Sequence, residues 1–322
     1  MAKKFKKIPI IKKIKLDSYE KNTLSYRWLH IVSNGVGQPI LIPVIIGKGT
    51  KDGPVLGVTA VVHGNELNGM PVIQKLFKSI DLTKLSGTII GIPVVNVPSI
   101  LVSERRFTDG ADLNRIMPGN ENGNRSQVYA NRVINRIVKN FDYLIDLHTA
   151  SFGRINSYYV RADLSSKIAK QLALIQNPQI ILNAPPKDGT LRGAAADLGI
   201  DAITVEVGDP DKFQKGMIRS GLTGVYNTLA FLDMYETEIE EADDKAIICK
   251  KSYWIYSHVG GILQVHSQLT QRIQKGDLIA TVKDVFGRVL KEYFAPEDGI
   301  VIGKSINPVG QTGSRIIHLG IL

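Results

Sequence analysis

The sequence predicts an α/β domain on a mostly parallel or mixed sheet flanked by helices, followed by a smaller all-β barrel or sandwich. Three observations carry this expectation. Apolar runs of strand length alternate with stretches of helical periodicity from Val55 to about Tyr235. An acidic segment without an apolar face, Glu236 to Asp244, interrupts that alternation. Short strand-like pieces separated by Gly, Pro and Asn then fill Ala246 to Leu322. At 322 residues the chain exceeds one ordinary globular core. It divides on this reading into a first domain over 1–235, a linker over 236–245 and a β domain over 246–322.

The elements follow in order. Residues 1–15 hold seven lysines around a four-residue apolar patch and read as a solvated basic tail. Arg27 to Ile46 reads as two strands joined by the turn Asn34-Gly35-Val36-Gly37. Strands are expected over Val55–Val62, Thr88–Val95, Tyr143–Leu147 and Ala202–Val207. Between and after them, Leu67–Ser79, Gln127–Lys139, Ser165–Ile175 and Met217–Tyr235 space their apolar residues as helices do. No internal repeat or low-complexity tract is present.

Composition narrows the class. Hydrophobic residues are 43% and charged residues 22%, the balance of a folded globular protein rather than a disordered one. No apolar run has the length of a membrane span, and the N-terminus lacks the apolar core of a signal peptide. A cytoplasmic protein without a membrane partner is expected. Cys249 is the only cysteine, so an intrachain disulfide and a thiolate metal cluster are excluded and any metal must rest on His and carboxylates. The net charge of +10 is concentrated in part at the N-terminus and has no aromatic-basic recognition motif beside it. No nucleic-acid partner is expected, and the oligomeric state stays open, a homo-oligomer included.

The chemistry-bearing residues lie at strand ends. The strand ending at Val62 runs into His63-Gly64-Asn65-Glu66, and the strand from Tyr143 ends in Asp146-Leu147-His148-Thr149. Loops leaving the carboxyl ends of strands are where open α/β sheets place ligands. Two imidazoles and a carboxylate there can converge on one Zn²⁺ and leave a fourth position for water. For His63 alone a hydrogen-bonded structural histidine is the simpler reading; two histidines at strand ends among small polar neighbours favour ligation. Between them, Arg105-Arg106-Phe107-Thr108-Asp109-Gly110-Ala111-Asp112-Leu113-Asn114-Arg115 is dense in guanidinium and amide donors. It could grip a carboxylate or be a surface loop with ordinary salt bridges. Glu206, near the end of the strand Ala202–Val207, could be a proton shuttle with a raised pKa or a paired carboxylate at a sheet end.

Taken together, these pieces resemble the succinylglutamate desuccinylase and aspartoacylase family, a branch of the zinc carboxypeptidase superfamily. The resemblance rests on His63-Gly64-Asn65-Glu66, Asp112-Leu113-Asn114-Arg115 with Pro118-Gly119, Asp146-Leu147-His148 and Val205-Glu206-Val207-Gly208, in the family's order. It implies a zinc-carboxypeptidase-like fold with an appended β domain. It further implies His63, Glu66 and His148 as zinc ligands, with Asp112 orienting His63. Asn114 and Arg115 would bind the substrate carboxylate, Glu206 would be general base and then acid, and Arg105 would help polarise the scissile carbonyl. Adjacent Arg106 leaves the arginine register open. Met117 stands where relatives often carry Phe, a departure away from the metal ligands. The implied activity is removal of an acyl group from a small anionic N-acyl amino acid or similar amine.

Other readings are weaker. There is no Gly-x-Ser-x-Gly elbow for a serine hydrolase. The glycines of Gly299 to Ser305 are separated by three residues where a phosphate loop needs four. Cys249 and His258 fall in the β domain, where an incidental thiol is commoner than a nucleophile. A lipoyl- or biotinyl-like carrier around Lys283-Asp284-Val285-Phe286-Gly287 lacks the residues that usually flank a modified lysine. A carboxypeptidase acting on peptides or cell-wall fragments is the nearest rival, separated from a small-substrate deacylase by how far the β domain closes over the site. A non-catalytic binding protein is a third option, against which retention of Glu206 argues.

Overall fold

The computed structural model describes residues 7–186 and 189–322. In chain order the strands are β1 (Ile10–Ile11), β2 (Thr23–Ser33), β3 (Pro39–Lys48), β4 (Lys51–Ala60), β5 (Ser86–Ile92), β6 (Tyr143–His148), β7 (Arg154–Asn156), β8 (Tyr159–Ala162), β9 (Ile180–Asn183) and β10 (Asp201–Glu206). There follow β11 (Ile247–Cys249), β12 (Lys251–Tyr256), β13 (Gly261–Val265), β14 (Arg272–Ile273), β15 (Leu278–Lys283), β16 (Val289–Phe294), β17 (Gly299–Ser305), β18 (Val309–Gly310) and β19 (Arg315–Ile321). The helices are α1 (Gly69–Ser79), α2 (Val97–Ile100), α3 (Arg125–Arg136), α4 (Lys167–Leu174), α5 (Leu191–Ala196) and α6 (Lys215–Phe231).

A ten-stranded sheet runs in the order β1-β2-β3-β5-β4-β6-β10-β8-β9-β11. Its centre, β5, β4, β6 and β10, is parallel, while β3 and β8 join antiparallel. The mixed sheet is the one the alternation of apolar runs and helical periodicity predicts. Both faces are covered, which is why the central strands read as near-continuous apolar runs. On one face Leu56, Val58, Ile145, Leu147, Ile203 and Val205 pack against α1, α4 and α6. The alternate residues Ile90, Ile92, Leu144 and Ala202 face the other side, toward α3 and α5. Complete burial of a side chain of this size contributes about 1.5–3 kcal/mol before the entropy of ordering is subtracted.

One segment differs from its expected role. Within the expected basic tail, Ile10 and Ile11 pair in parallel with Trp28 and Leu29, and Ile14 is buried in the core. Apolar side chains among the lysines thus anchor the segment to the sheet edge; Lys3, Lys4 and Lys6 lie outside the described residues. The acidic stretch after Tyr235 is exposed, yet the Glu240 backbone is held by both polar atoms of the Asn227 amide on α6.

The C-terminal strands form a five-stranded sheet, β12-β19-β17-β14 with β7 added on β17, and a four-stranded sheet, β16-β15-β13-β18. They enclose a core of Leu263, Ile279, Val282, Val301, Ile317 and Leu319. The two halves exchange strands. β11 closes the edge of the large sheet against β9, and β7, from the N-terminal half, pairs with β17. Among the described residues no helix is long and apolar enough to cross a membrane.

Candidate active site

The turn after β4 aims its residues by a strained backbone. Val61 adopts φ 57°, a conformation a β-branched residue occupies at a cost of about 1–3 kcal/mol. The carbonyls of Ala60 and Val61 accept from the amides of Val95 and Asn96, both at 2.9 Å, which fixes the bend. Gly64 is required next, because a Cβ there would overlap the Ser99 backbone. The result presents His63 and Glu66, each 1% exposed, to the carboxyl end of β6.

There the potential ligand atoms of His63, Glu66 and His148 all lie within 4.8 Å of one another. The outer nitrogens of both imidazoles are committed. Nε2 of His63 donates to Asp112 Oδ1 at 3.0 Å and Nε2 of His148 donates to Asp146 Oδ2 at 2.8 Å, since an ionised carboxylate can only accept. Asp146 is itself held by the Thr59 hydroxyl at 2.6 Å. Both Nδ1 atoms therefore turn inward to Glu66, His63 Nδ1 at 2.8 Å from Oε1 and His148 Nδ1 at 2.9 Å from Oε2.

The His63 contact has the distance of a hydrogen bond without its alignment, and Nδ1 is a buried nitrogen with no hydrogen-bond partner. Converging nitrogen and carboxylate atoms around a shared point, with both imidazoles oriented from behind by carboxylates, are the donor set and support of a divalent metal site. The electrostatics agree. Burial would push Glu66 up and His148 down, but the imidazoles and Arg105 hold Glu66 well below the usual carboxylate range. Asp146 and Glu66 likewise hold His148 well above the usual imidazole range, so positive charge is favoured between them.

The Arg105–Arg115 loop closes one side. Arg105 donates from Nη1 to Glu66 Oε1 at 2.7 Å and from Nε and Nη2 to Asp112 Oδ2 at 3.1 and 3.0 Å. Burial acts against ionisation of Asp112, but His63 and Arg105 keep its carboxyl well below the usual range. Arg106 is exposed and bonds the Gly110 carbonyl at 3.0 Å, so of the two arginines it is Arg105 that reaches Glu66. Asn114 is buried, its side-chain oxygen accepting from the Leu191 amide at 2.8 Å. Arg115 is exposed at the cavity, with Nη1 on the Asn114 carbonyl at 2.9 Å.

Glu206 ends β10 in parallel register with His148 on β6 and in antiparallel register with Tyr159 on β8. Its Oε2 accepts from the Asn156 amide at 3.3 Å. Burial and the neighbouring Glu66 carboxylate push Glu206 up, against the pull of His148, Arg161 and Arg105. A carboxyl so tuned can exchange protons nearer neutral pH than an ordinary glutamate.

These residues share one cavity of about 600 Å³. The C-terminal strands complete its wall with Ser252, Tyr253, Trp254, Arg315 and His318. His318 stacks on Trp254 with ring centroids 5.0 Å apart and planes 11° from parallel. Sequence reasoning quoted Asp146 within its motif without giving it a role, and did not single out Arg154, Asn156, Trp254, Arg315 or His318. Asp146 was recoverable, since strand alternation places it on the same face as His148.

The fold is that of solved succinylglutamate desuccinylase/aspartoacylase structures. A succinylglutamate desuccinylase/aspartoacylase from Rhodobacter sphaeroides matches with a TM-score of 0.85 at 19% identity, over 97% of this chain and 98% of that one. The product-bound ectoine utilization protein EutE (DoeB) from Ruegeria pomeroyi matches with a TM-score of 0.85 at 19% identity, over 94% and 97%. At the level of sequence, the succinylglutamate desuccinylase/aspartoacylase catalytic domain matches residues 52–232, and the chain belongs to that family. A curated relative, the N-alpha-acetyl-L-2,4-diaminobutyric acid deacetylase of Halomonas elongata, is 23% identical over 278 residues, 82% of this chain and 81% of its own length.

Proposed function

We propose that this chain is a zinc-dependent amidohydrolase that removes the acyl group from a small anionic N-acyl amino acid or related amine. The observation that carries it is the convergence of His63 Nδ1, His148 Nδ1 and the Glu66 carboxylate, with the outer nitrogens tied to Asp112 and Asp146. The deacetylase activity of the Halomonas elongata relative supports the reaction class.

A zinc ion held by His63, Glu66 and His148 supplies Lewis acidity at the scissile carbonyl and acidifies water there. The remaining steps belong to the chain. Glu206 takes the proton from the attacking water and passes it to the leaving amine. Arg105, fixed by Asp112 and Glu66, sets positive charge beside the carbonyl oxygen as negative charge develops on it. Asn114 and Arg115 meet the substrate carboxylate. Asp112 and Asp146 hold the two imidazoles in one tautomer and one orientation.

Small substrates are favoured over peptides or cell-wall fragments because Tyr253, Trp254, Arg315 and His318 from the C-terminal strands wall the cavity that holds the His–Glu–His group. A carrier reading gains nothing from that placement, since a swinging arm has no use for strands fixed in an active-site wall. Zinc-loaded protein incubated with a panel of N-acetyl, N-succinyl and other N-acyl amino acids should release amine from at least one. Zinc bound at one per chain with no hydrolysis of any would overturn the reading.

A further inference from the structure

Beside the active-site cavity lies a second one of about 170 Å³, walled by Leu263, Ser305, Asn307, Val309 and Ser314 of the C-terminal strands and their loops. Among the described residues, Phe152, Arg154 and Arg315 line both spaces and form the boundary between them. The cationic part of that boundary is fixed. The guanidinium groups of Arg154 and Arg315 lie 5.3 and 5.5 Å from the Trp254 ring centroid. Nε of Arg154 also donates to the Ser151 carbonyl, and Arg315 lies 5.7 Å from the Tyr256 ring. Phe152 is the remaining part.

Its backbone is strained. Phe152 adopts φ 54° and Gly153 φ 62°, and a phenylalanine holds the left-handed conformation only against a steric penalty that glycine escapes. The strain is not needed to anchor the turn, because hydrogen bonds on either side already tie it to both halves of the chain. The Ala150 amide donates to the Gly208 carbonyl at 2.9 Å, the Ser151 hydroxyl to Asn65 Oδ1 at 3.1 Å, and the Ile306 amide to the Gly153 carbonyl at 2.8 Å. Nor does burial account for so large a side chain, since Phe152 is 52% exposed. Its ring instead faces the chemistry, with the Arg105 guanidinium 6.0 Å from the ring centroid. A half-exposed ring, held in a strained turn between two cavities and beside the arginine assigned to the scissile carbonyl, is placed to shape the site rather than to stabilise the fold.

We propose that Phe152 is a specificity-determining residue that closes the active-site cavity on the side of the acyl group and shuts off the second cavity, so that short acyl groups enter and longer ones are excluded. The inference deepens the proposed function and rests on it. The acyl side follows from Arg105: a ring against the group that meets the carbonyl oxygen limits what that carbonyl carries, while the carboxylate of the amine is met by Asn114 and Arg115. The space behind the ring sets the length that is excluded. A cavity of about 150 Å³ accepts a benzene ring, so about 170 Å³ accommodates a chain of similar carbon count.

The test is a chain-length series on one amino acid, N-acetyl, N-butanoyl, N-hexanoyl and N-octanoyl, with zinc-loaded protein. Wild-type kcat/KM should fall about tenfold or more from acetyl to hexanoyl. Phe152→Ala joins the two cavities and should raise the hexanoyl-to-acetyl ratio by about ten- to a hundredfold, the range for a pocket wall that rejects or admits extra methylenes. Phe152→Leu should fall between. Val309→Trp fills the second cavity from its far wall, at a residue 66% exposed, and should cancel the gain when combined with Phe152→Ala. Calorimetry with acetate and hexanoate, the acyl products, reads the same preference without turnover. Thermal melting of Phe152→Gly, which holds the left-handed turn without strain, should not fall below wild type.

A wild type that cleaves hexanoyl as well as acetyl, or a ratio unchanged in Phe152→Ala, overturns the inference, and so does a gain that Val309→Trp leaves intact. Lower melting of Phe152→Gly with an unchanged ratio makes the ring a structural prop and overturns it as well. Hydrolysis that is indifferent to residue 152 thus removes the specificity role and leaves the proposed function. Hexanoate binding gained by Phe152→Ala, with no hydrolysis of any N-acyl amino acid, does the reverse.

Discussion

Glu206 and His148 stand side by side, paired in register at the carboxyl ends of two adjacent parallel strands. The carboxyl proposed to move the proton is therefore set by the same sheet that sets a proposed metal ligand, and Glu206 itself is free of the His–Glu–His group. Glu206→Gln keeps size and hydrogen bonding but cannot accept a proton, so kcat should fall about 10²- to 10⁴-fold while zinc content is unchanged. The sign of the pH effect follows from the raised pKa. The base acts ionised, so kcat/KM rises with pH through that pKa and its acid limb lies above the ordinary glutamate range. Metal analysis and pH profiles on one confirmed substrate check both, and a Gln variant within a few-fold of wild type would contradict the assignment.

Metal affinity should separate the inward from the outward partners of the imidazoles. His148→Ala removes a ligand and should leave the protein without stoichiometric zinc. Asp112→Asn leaves all three ligands but weakens the carboxylate that orients His63, and zinc affinity should drop about 10- to 100-fold. Competition with a chelator measures each value. Equal affinities in wild type and His148→Ala would refute the ligand set.

Among the described residues Arg115 bonds only its neighbour's carbonyl, which leaves its remaining donors for a ligand. Arg115→Ala should raise KM by about ten- to a hundredfold through loss of charged hydrogen bonds. Zinc content should not change. A neutral amide turned over equally well by wild type and variant would count against a carboxylate at this position.

Asn156 reaches Glu206 from β7, and a Cβ at Gly303 on the paired strand β17 would collide with the Asn156 side-chain oxygen. Gly303→Ala should therefore disturb Glu206 from the far side of the C-terminal sheet and lower kcat by on the order of ten- to a hundredfold. Asn156→Ala removes the same support without the clash. Steady-state kinetics with zinc analysis should show both variants losing kcat and keeping metal, whereas wild-type kcat in Asn156→Ala would show that Glu206 needs no such support.

Much of the fold was legible because its determinants are local. Runs such as Leu56 to Val62 and, but for Asp146, Leu144 to Leu147 are apolar because their strands are covered on both faces, and the α3 helix announces itself by its apolar spacing. The candidate ligands were legible for the same reason, since His63 and Glu66 stand three residues apart in one motif and His148 ends a strand. The cationic wall was not. Arg154, Trp254, Arg315 and His318 are brought together by strand exchange across more than half the chain, and each alone looks like a solvated charge or a core aromatic. β7 and β11, three residues each, are too short for any periodicity to mark them.

That exchange of strands has a consequence for how the protein can be taken apart. Scission anywhere in the exposed acidic stretch between Tyr235 and Lys245 would sever the backbone without freeing either piece. The downstream piece would still carry β11 as a guest in the upstream sheet, and the upstream piece would still carry β7 as a guest in the downstream one. Two fragments produced by limited proteolysis there should co-elute and keep activity until denatured. Either half expressed alone would instead present an open strand edge, a template for unwanted pairing, and a site missing part of its wall.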